Sequence, residues 1–184
     1  HGDFLQFDET ERGYRLNAPD QPVARVTWSE AMAFCDWLFE RSGLRITLPT
    51  EAQWEYACRA GAASVLWYGD GDADFSAVAN LADRSLHQVD TFGWELPSGA
   101  IPPWRLAVGG VDDGFRVSAA AGAFAPNSWG LHDMHGNVAE WTRSVYLPYP
   151  WRGDAERDDR SGPGRRVVRG GSWHDLPREA ASGA

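Results

Sequence analysis

The sequence predicts an α+β domain poor in regular secondary structure, with two early helices leading into a loop-rich body. Three observations carry that expectation. Apolar residues recur at helical spacing twice before residue 61 and rarely afterwards. The stretch from about 62 to 128 is rich in Gly, Asp and Pro, with its large aromatics placed singly. The apolar extended pieces that follow it are short.

Taken in order, residues 1–21 are polar and mixed and read as a lead-in, and residues 22–184 as one domain. After the extended run Val23 to Trp28, a helix is predicted over about 29–42. Ser29 is its expected N-cap, Met32, Cys35, Leu38 and Phe39 its inward face, and Gly43 its left-handed stop. A second helix is predicted from Pro49-Thr50. Thr50 and Gln53 make a capping box, Glu51 suits the first turn, and Trp54, Ala57 and Cys58 point inward before Gly61. Loops longer than about 12–15 residues are uncommon in compact domains unless something ties them down, so a restraint is expected on the segment after Gly61. Extended pieces return at 130–134, 138–144 and 166–172, the last ending in a double glycine that suggests close backbone approach or a bulge.

Composition excludes several classes. With 43% apolar and 23% charged residues, the 184-residue chain can bury enough surface to fold. No apolar stretch approaches the roughly 18–20 residues of a membrane span. The net charge of −9 opposes nucleic-acid binding. The one arginine-rich stretch, Arg157, Arg160, Arg165, Arg166 and Arg169, is interleaved with Asp154, Glu156, Asp158 and Asp159 and reads as a solvated mixed-charge loop. The chain begins on His, reads as part of a longer protein and assigns itself no compartment.

Three clusters are rich in hard oxygen donors: Asn80 to Asp83, Asp112 to Phe115 and Asp133 to Val138. Calcium takes six to eight such ligands, often mixing carboxylate, amide and backbone carbonyl; the same residues also simply make turns. His132, His135 and His174 invite a transition-metal reading, but His132 and His135 fall in a segment expected to be extended, where a spacing of three sends them to opposite faces. Surface or hydrogen-bonded histidines are the simpler expectation. Cys35 and Cys58 have no His neighbour in sequence and no Cys-x-x-Cys partner, so they read as buried thiols or as halves of disulfides to partners elsewhere.

Four blocks carry a family resemblance. Pro22-Val23 with Val26-Thr27-Trp28 and Phe34-Cys35-Asp36-Trp37, then Leu48 to Ala57, then Asn127 to Trp141, then Arg166 to Trp173 resemble the signature segments of the formylglycine-generating enzyme, or sulfatase-modifying factor, family. The resemblance implies a loop-rich C-type-lectin-like fold with bound calcium. It implies one calcium site from Asn80, the Leu81 carbonyl, Asp113 and the Phe115 carbonyl, and a second from Asp133 with the carbonyls of Met134, Gly136 and Val138. Trp28, Trp37, Trp54, Trp129, Trp141 and Trp173 fall within the blocks, where their rings are expected to fill the core; Trp94, Trp104 and Trp151 are expected to face a ligand.

Activity transfers less directly. In sulfatase-activating members two cysteine thiolates hold copper, and the matching positions here are Asp175 and Ala180. A soft Cu(I) site cannot be rebuilt from a carboxylate and a methyl group. Members lacking the pair include the C-terminal domain of an iron-dependent sulfoxide synthase, whose iron comes from a separate domain, and pyoverdine-maturation oxidases. A rival reading is a ligand-binding module of the variable-protein type, with Ser172, Trp173, His174, Asp175 and Arg178 as contacts for a peptide or small molecule. The resemblance also implies disulfides from Cys35 and Cys58 to a closing segment that usually ends in Gly-Phe-Arg and is absent after Ala184.

Overall fold

A computed structural model describes residue 16 and residues 18–88, 106–148 and 164–181. The expectations for Trp94, Trp104, Trp151, Arg157 and Arg160, and for most of the lead-in, lie outside those residues.

Helix α1 spans Trp28–Ser42. Thr27, rather than Ser29, is its N-cap: the Thr27 hydroxyl accepts from the Glu30 N–H at 3.2 Å while the Glu30 carboxylate accepts from the Thr27 N–H at 2.7 Å. This reciprocal pair satisfies two backbone donors, and Ser29 has no Glu or Gln three residues on to match it. Gly43 ends the helix at φ 69°, its N–H donating to the Phe39 carbonyl at 2.8 Å. Met32 and Cys35 are buried, but Phe39, predicted to face inward, is 47% exposed.

Helix α2 spans Glu51–Arg59 and opens on the predicted Thr50–Gln53 capping box. Trp54 and Cys58 are buried on its inner face, as is Glu51. The Glu51 carboxylate meets the buried Arg169 guanidinium at 2.7 Å, and its N–H donates to the Ser144 hydroxyl at 3.0 Å. These two contacts dock the start of α2 onto a two-stranded antiparallel sheet formed by β1 (Glu140–Val145) and β2 (Arg166–Arg169). Glu140 pairs with Arg169 and Trp141 with Val168, and an irregularity follows before Val145 pairs with Arg166. The piece at 130–134 is not a strand. A left-handed Asp133 at φ 56° turns the chain there, and strand pairing begins only at Glu140.

Three indole N–H groups fasten the opening blocks to this sheet. Trp28 donates to the Thr142 carbonyl at 3.0 Å, Trp141 to the Val26 carbonyl at 2.9 Å and Trp54 to the Glu140 carboxylate at 2.6 Å. Each ring supplies apolar area and its N–H one long-range bond. Trp54 is 2% exposed and Trp173 packs against Ala82 and Leu86. Trp37 and Trp129 depart from the expected core role, being 45% and 49% exposed. Trp37 instead stacks on Phe34, and Trp129 meets Tyr56 edge-on.

Among the described residues, the body between α2 and β1 has only isolated bridges and no ladder of its own. Phe75, Ala79 and Leu81 gather with Ala180 in one buried cluster, and Ala82 with Leu86 in another beside a 3₁₀ turn over Arg84–Gln88. Its restraint is a set of buried amides. Asn80 Nδ2 donates to the Val117 carbonyl at 2.9 Å, Asn127 Nδ2 to the Ala57 carbonyl at 2.8 Å, and Asn137 Oδ1 accepts from the Ala119 N–H at 2.9 Å. Side chains therefore supply the hydrogen bonds that a sheet would otherwise give to buried backbone.

Candidate functional site

Two of the oxygen clusters meet through backbone. Asn80 and Gly136 form an isolated parallel bridge, and the Asn137 N–H donates to the Asn80 carbonyl at 2.8 Å. A Cβ on Gly136 would lie 1.9 Å from that carbonyl oxygen, and φ there is 78°, so glycine alone fits.

In the first cluster Asp113 is buried, its carboxylate accepting from the Phe115 N–H at 2.8 Å and the Leu81 N–H at 3.2 Å. Asp83, fully buried, accepts from the Asp113 N–H and from Ser85, whose hydroxyl also donates to the Phe115 carbonyl. Burial, reinforced by the Asp83 and Asp112 charges, raises Asp113 to about 7 against the pull of the two backbone donors. Asn80 Oδ1 is buried with no hydrogen-bond partner. Two close carboxylates and an orphaned amide oxygen describe a place short of positive charge.

The second cluster repeats the pattern. Asp133 Oδ2 accepts from the Gly122 N–H at 2.7 Å, while Oδ1 is buried without a partner. The Met134 carbonyl faces the Cys58 sulfur at 3.7 Å, the Gly136 N–H donates to the Gly170 carbonyl at 2.7 Å, and Val138 is half-buried. Burial raises Glu140, its bond from Trp54 lowers it, and the Asp133 charge raises it again. Asp83 and Glu140 are absent from the ligand sets expected from sequence. Asp83 closes the Asn80-Leu81-Ala82-Asp83 cluster, a usable signal; Glu140 is marked only by its place two residues beyond Val138.

The histidines do not converge, and no group of three or more His, Cys, Asp or Glu side chains suited to a metal forms among the described residues. His132 is exposed, with Nδ1 2.7 Å from the Phe124 carbonyl. His135 is fully buried. Its Nε2 accepts from the Trp67 N–H at 3.2 Å, which leaves the proton on Nδ1 for the Ala180 carbonyl at 2.7 Å. Burial, helped by the Arg59 charge, lowers it to about 4 despite the Ala180 bond, so it is a neutral core group. The fold also brings His135 Nε2 to 3.5 Å from Cys58 Sγ, a neighbour 77 residues away that local sequence could not show.

At the two positions that the resemblance aligns with the copper cysteines, Asp175 Oδ2 accepts from the Ser172 N–H at 2.9 Å and hydroxyl at 2.8 Å, and Oδ1 lies 3.1 Å from His174 Nδ1. Burial raises Asp175, but the hydrogen bonds from His174 and Ser172 outweigh it and hold the carboxyl below its ordinary value. Ala180 is fully buried, and a Cβ on Gly171 would lie 2.9 Å from the Ala180 methyl. Of the expected ligand-facing residues, Arg178 and His174 project into solvent, Ser172 and Asp175 are partly covered, and the Trp173 ring turns toward Ala82 and Leu86.

This architecture is the formylglycine-generating-enzyme type of C-type-lectin-like fold. It is similar to PvdO from Pseudomonas aeruginosa, with a TM-score of 0.61 and 24% identity, covering 90% of this chain and 55% of that one. It is equally similar to Treponema denticola variable protein 1, with a TM-score of 0.61 and 22% identity over 99% of this chain and 69% of the other. At such identities the likeness is one of fold alone.

The chain belongs to the sulfatase-modifying factor family, matching the sulfatase-modifying factor enzyme 1-like domain over residues 5–184. It is 34% identical to the formylglycine-generating enzyme of Bos taurus, over 86% of this chain and 36% of that protein. It is also 34% identical to the inactive C-alpha-formylglycine-generating enzyme 2 of Mus musculus, over 88% of this chain and 40% of that protein. The chain thus spans well under half the length of these relatives, and its identity to an enzyme and to an inactive homologue is the same.

Proposed function

We propose that this chain is a formylglycine-generating-enzyme-like, oxidase-related domain whose chemistry diverges from copper-dependent cysteine oxidation. The observation that carries the reading is the pair Asp175 and Ala180. The carboxylate is committed to Ser172 and His174, and the methyl group is sealed against Gly171. A soft copper ion selects thiolates, and the residues present do not fit it. The test is to incubate the protein with a Cys-x-Pro-x-Arg peptide, copper and oxygen, and follow the peptide mass. No aldehyde-forming mass loss is expected; robust turnover overturns the reading.

Calcium fits where copper does not. Asn80, the Leu81 carbonyl, Asp113 and the Phe115 carbonyl would hold one ion, with Asp83 beside them; Asp133 and the carbonyls of Met134, Gly136 and Val138, with Glu140, would hold a second. The orphaned oxygens of Asn80 and Asp133 and the raised pKa of Asp113 and Glu140 support this reading. Bound calcium would supply charge compensation and cross-linking of loops rather than a reaction step. A ligand that binds only the folded state raises the melting temperature by mass action. Chelation is therefore expected to lower the melting temperature and calcium to restore it; an unchanged curve in metal-free protein counts against both sites.

A second reading, a ligand-binding module, is favoured by the exposure of His174 and Arg178 at 60% and 69% of their side chains. It predicts that His174→Ala and Arg178→Ala abolish capture of a peptide or small-molecule ligand without altering stability. If another domain of a longer protein supplies iron, the same surface would serve oxidative sulfur chemistry.

A further inference from the structure

A cavity of about 370 Å³ opens at the corner between the C-terminal half of α1, the connection to α2 and β1, lined by Asp36, Phe39, Arg45, Ile46, Thr47 and Arg143. None of these six residues belongs to the Ser172–Ala180 segment or to either oxygen cluster. The volume lies within the roughly 300–1,000 Å³ range of small-molecule sites.

The lining is specific in character. Phe39 and Ile46 form an apolar wall, the Phe39 ring lying 47% exposed on the last turns of α1, away from the buried Met32 and Cys35. Two guanidiniums and one carboxylate give the remaining wall a net positive charge, on a chain whose overall charge is −9. Arg45 enters no ion pair or hydrogen bond among the described residues. The strand side is fixed, because the Arg143 N–H donates to the Pro49 carbonyl at 2.7 Å and its carbonyl accepts from Arg166 at 3.1 Å. The Thr47 hydroxyl adds a neutral polar group beside the arginines.

We propose that this corner is a binding site for a small apolar carboxylate, with the carboxylate on Arg45 and Arg143 and the hydrocarbon on Phe39 and Ile46. Guanidinium groups match carboxylate geometry in paired hydrogen bonds. The apolar wall selects against small hydrated anions, and Asp36 selects against ligands of higher negative charge. The site stands independently of whether the domain is an oxidase or a binding module.

The test uses amide chemical shifts of the protein titrated with three probes: N-acetyl-phenylalanine, phenylalaninamide and inorganic phosphate. N-acetyl-phenylalanine is expected to shift the amides of Arg45, Ile46 and Thr47 saturably, and the other two probes to leave them in place. Arg45→Glu, at an exposed position, is expected to weaken the binding about tenfold or more while the rest of the spectrum is retained. An equal response to phenylalaninamide reduces the site to an apolar surface, and an equal response to phosphate reduces it to a diffuse anion effect. Either result overturns the proposal, as does undiminished binding in Arg45→Glu or a response mapping elsewhere.

Discussion

The helix pair and the loop-rich body solve the same problem, satisfying buried backbone, at opposite ranges. In α1 and α2 the solution is local: each N-terminus is closed by a side chain three residues from the group it caps. Between α2 and β1 it is remote, with Asn80 reaching 37 residues to Val117, Asn127 reaching 70 to Ala57 and His135 reaching 45 to Ala180. Local restraints are individually modest and survive the loss of one. Remote ones each stand in for a missing strand, so removing one exposes a polar group with no substitute.

The largest expected break is Gly136→Ala. Its methyl would overlap the Asn80 carbonyl and occupy a left-handed conformation, and it is expected to cost roughly 3–5 kcal/mol by chemical denaturation. Asn137→Ala should follow at roughly 2–3 kcal/mol, since it strips partners from both the N–H and the carbonyl of Ala119 in the interior.

A gentler probe of the body is pH. His135 is held at about 4 in the fold against 6.5 ordinarily, so the unfolded chain binds more protons between those values. The stability His135 contributes is present above pH 6.5 and lost as pH falls through 4. The decline attributable to it is about 1 kcal/mol by pH 5.5, and an imidazole NMR titration should show His135 still neutral there. The smallest effects belong to the helices. Thr27→Ala and Thr50→Ala each remove one half of a capping box and should cost roughly 0.5–1 kcal/mol. Losses as large as that of Asn137→Ala would erase the distinction between the two regions.

The same contrast governs what could be read from the chain itself. The Thr50 cap, the Gly43 stop and the close approach at Gly170-Gly171 are written in adjacent residues, as are the oxygen clusters. Thr27 and Ser29 are both good caps in sequence, and only the partner Glu30 separates them. The extended piece expected at 130–134 is broken at Asp133, whose left-handed backbone periodicity does not register. The outward turn of Trp37 depends on which face of α1 the rest of the fold covers. The Cys58–His135 contact and the nearness of Asp83 to Asp113 arise only when separate loops meet.

Cys35 and Cys58 form no disulfide with each other and are both buried, one on each helix. Their thiols are therefore two clocks on one molecule. An alkylating reagent reaches a buried sulfur only through transient opening, and at high reagent concentration the labelling rate becomes the opening rate itself. Cys58 sits against His135 and Met134 and reports when the loop-rich body lets go of α2; Cys35 reports when α1 lifts. Labelling that separates in time would show two cooperative units, and simultaneous labelling would show one.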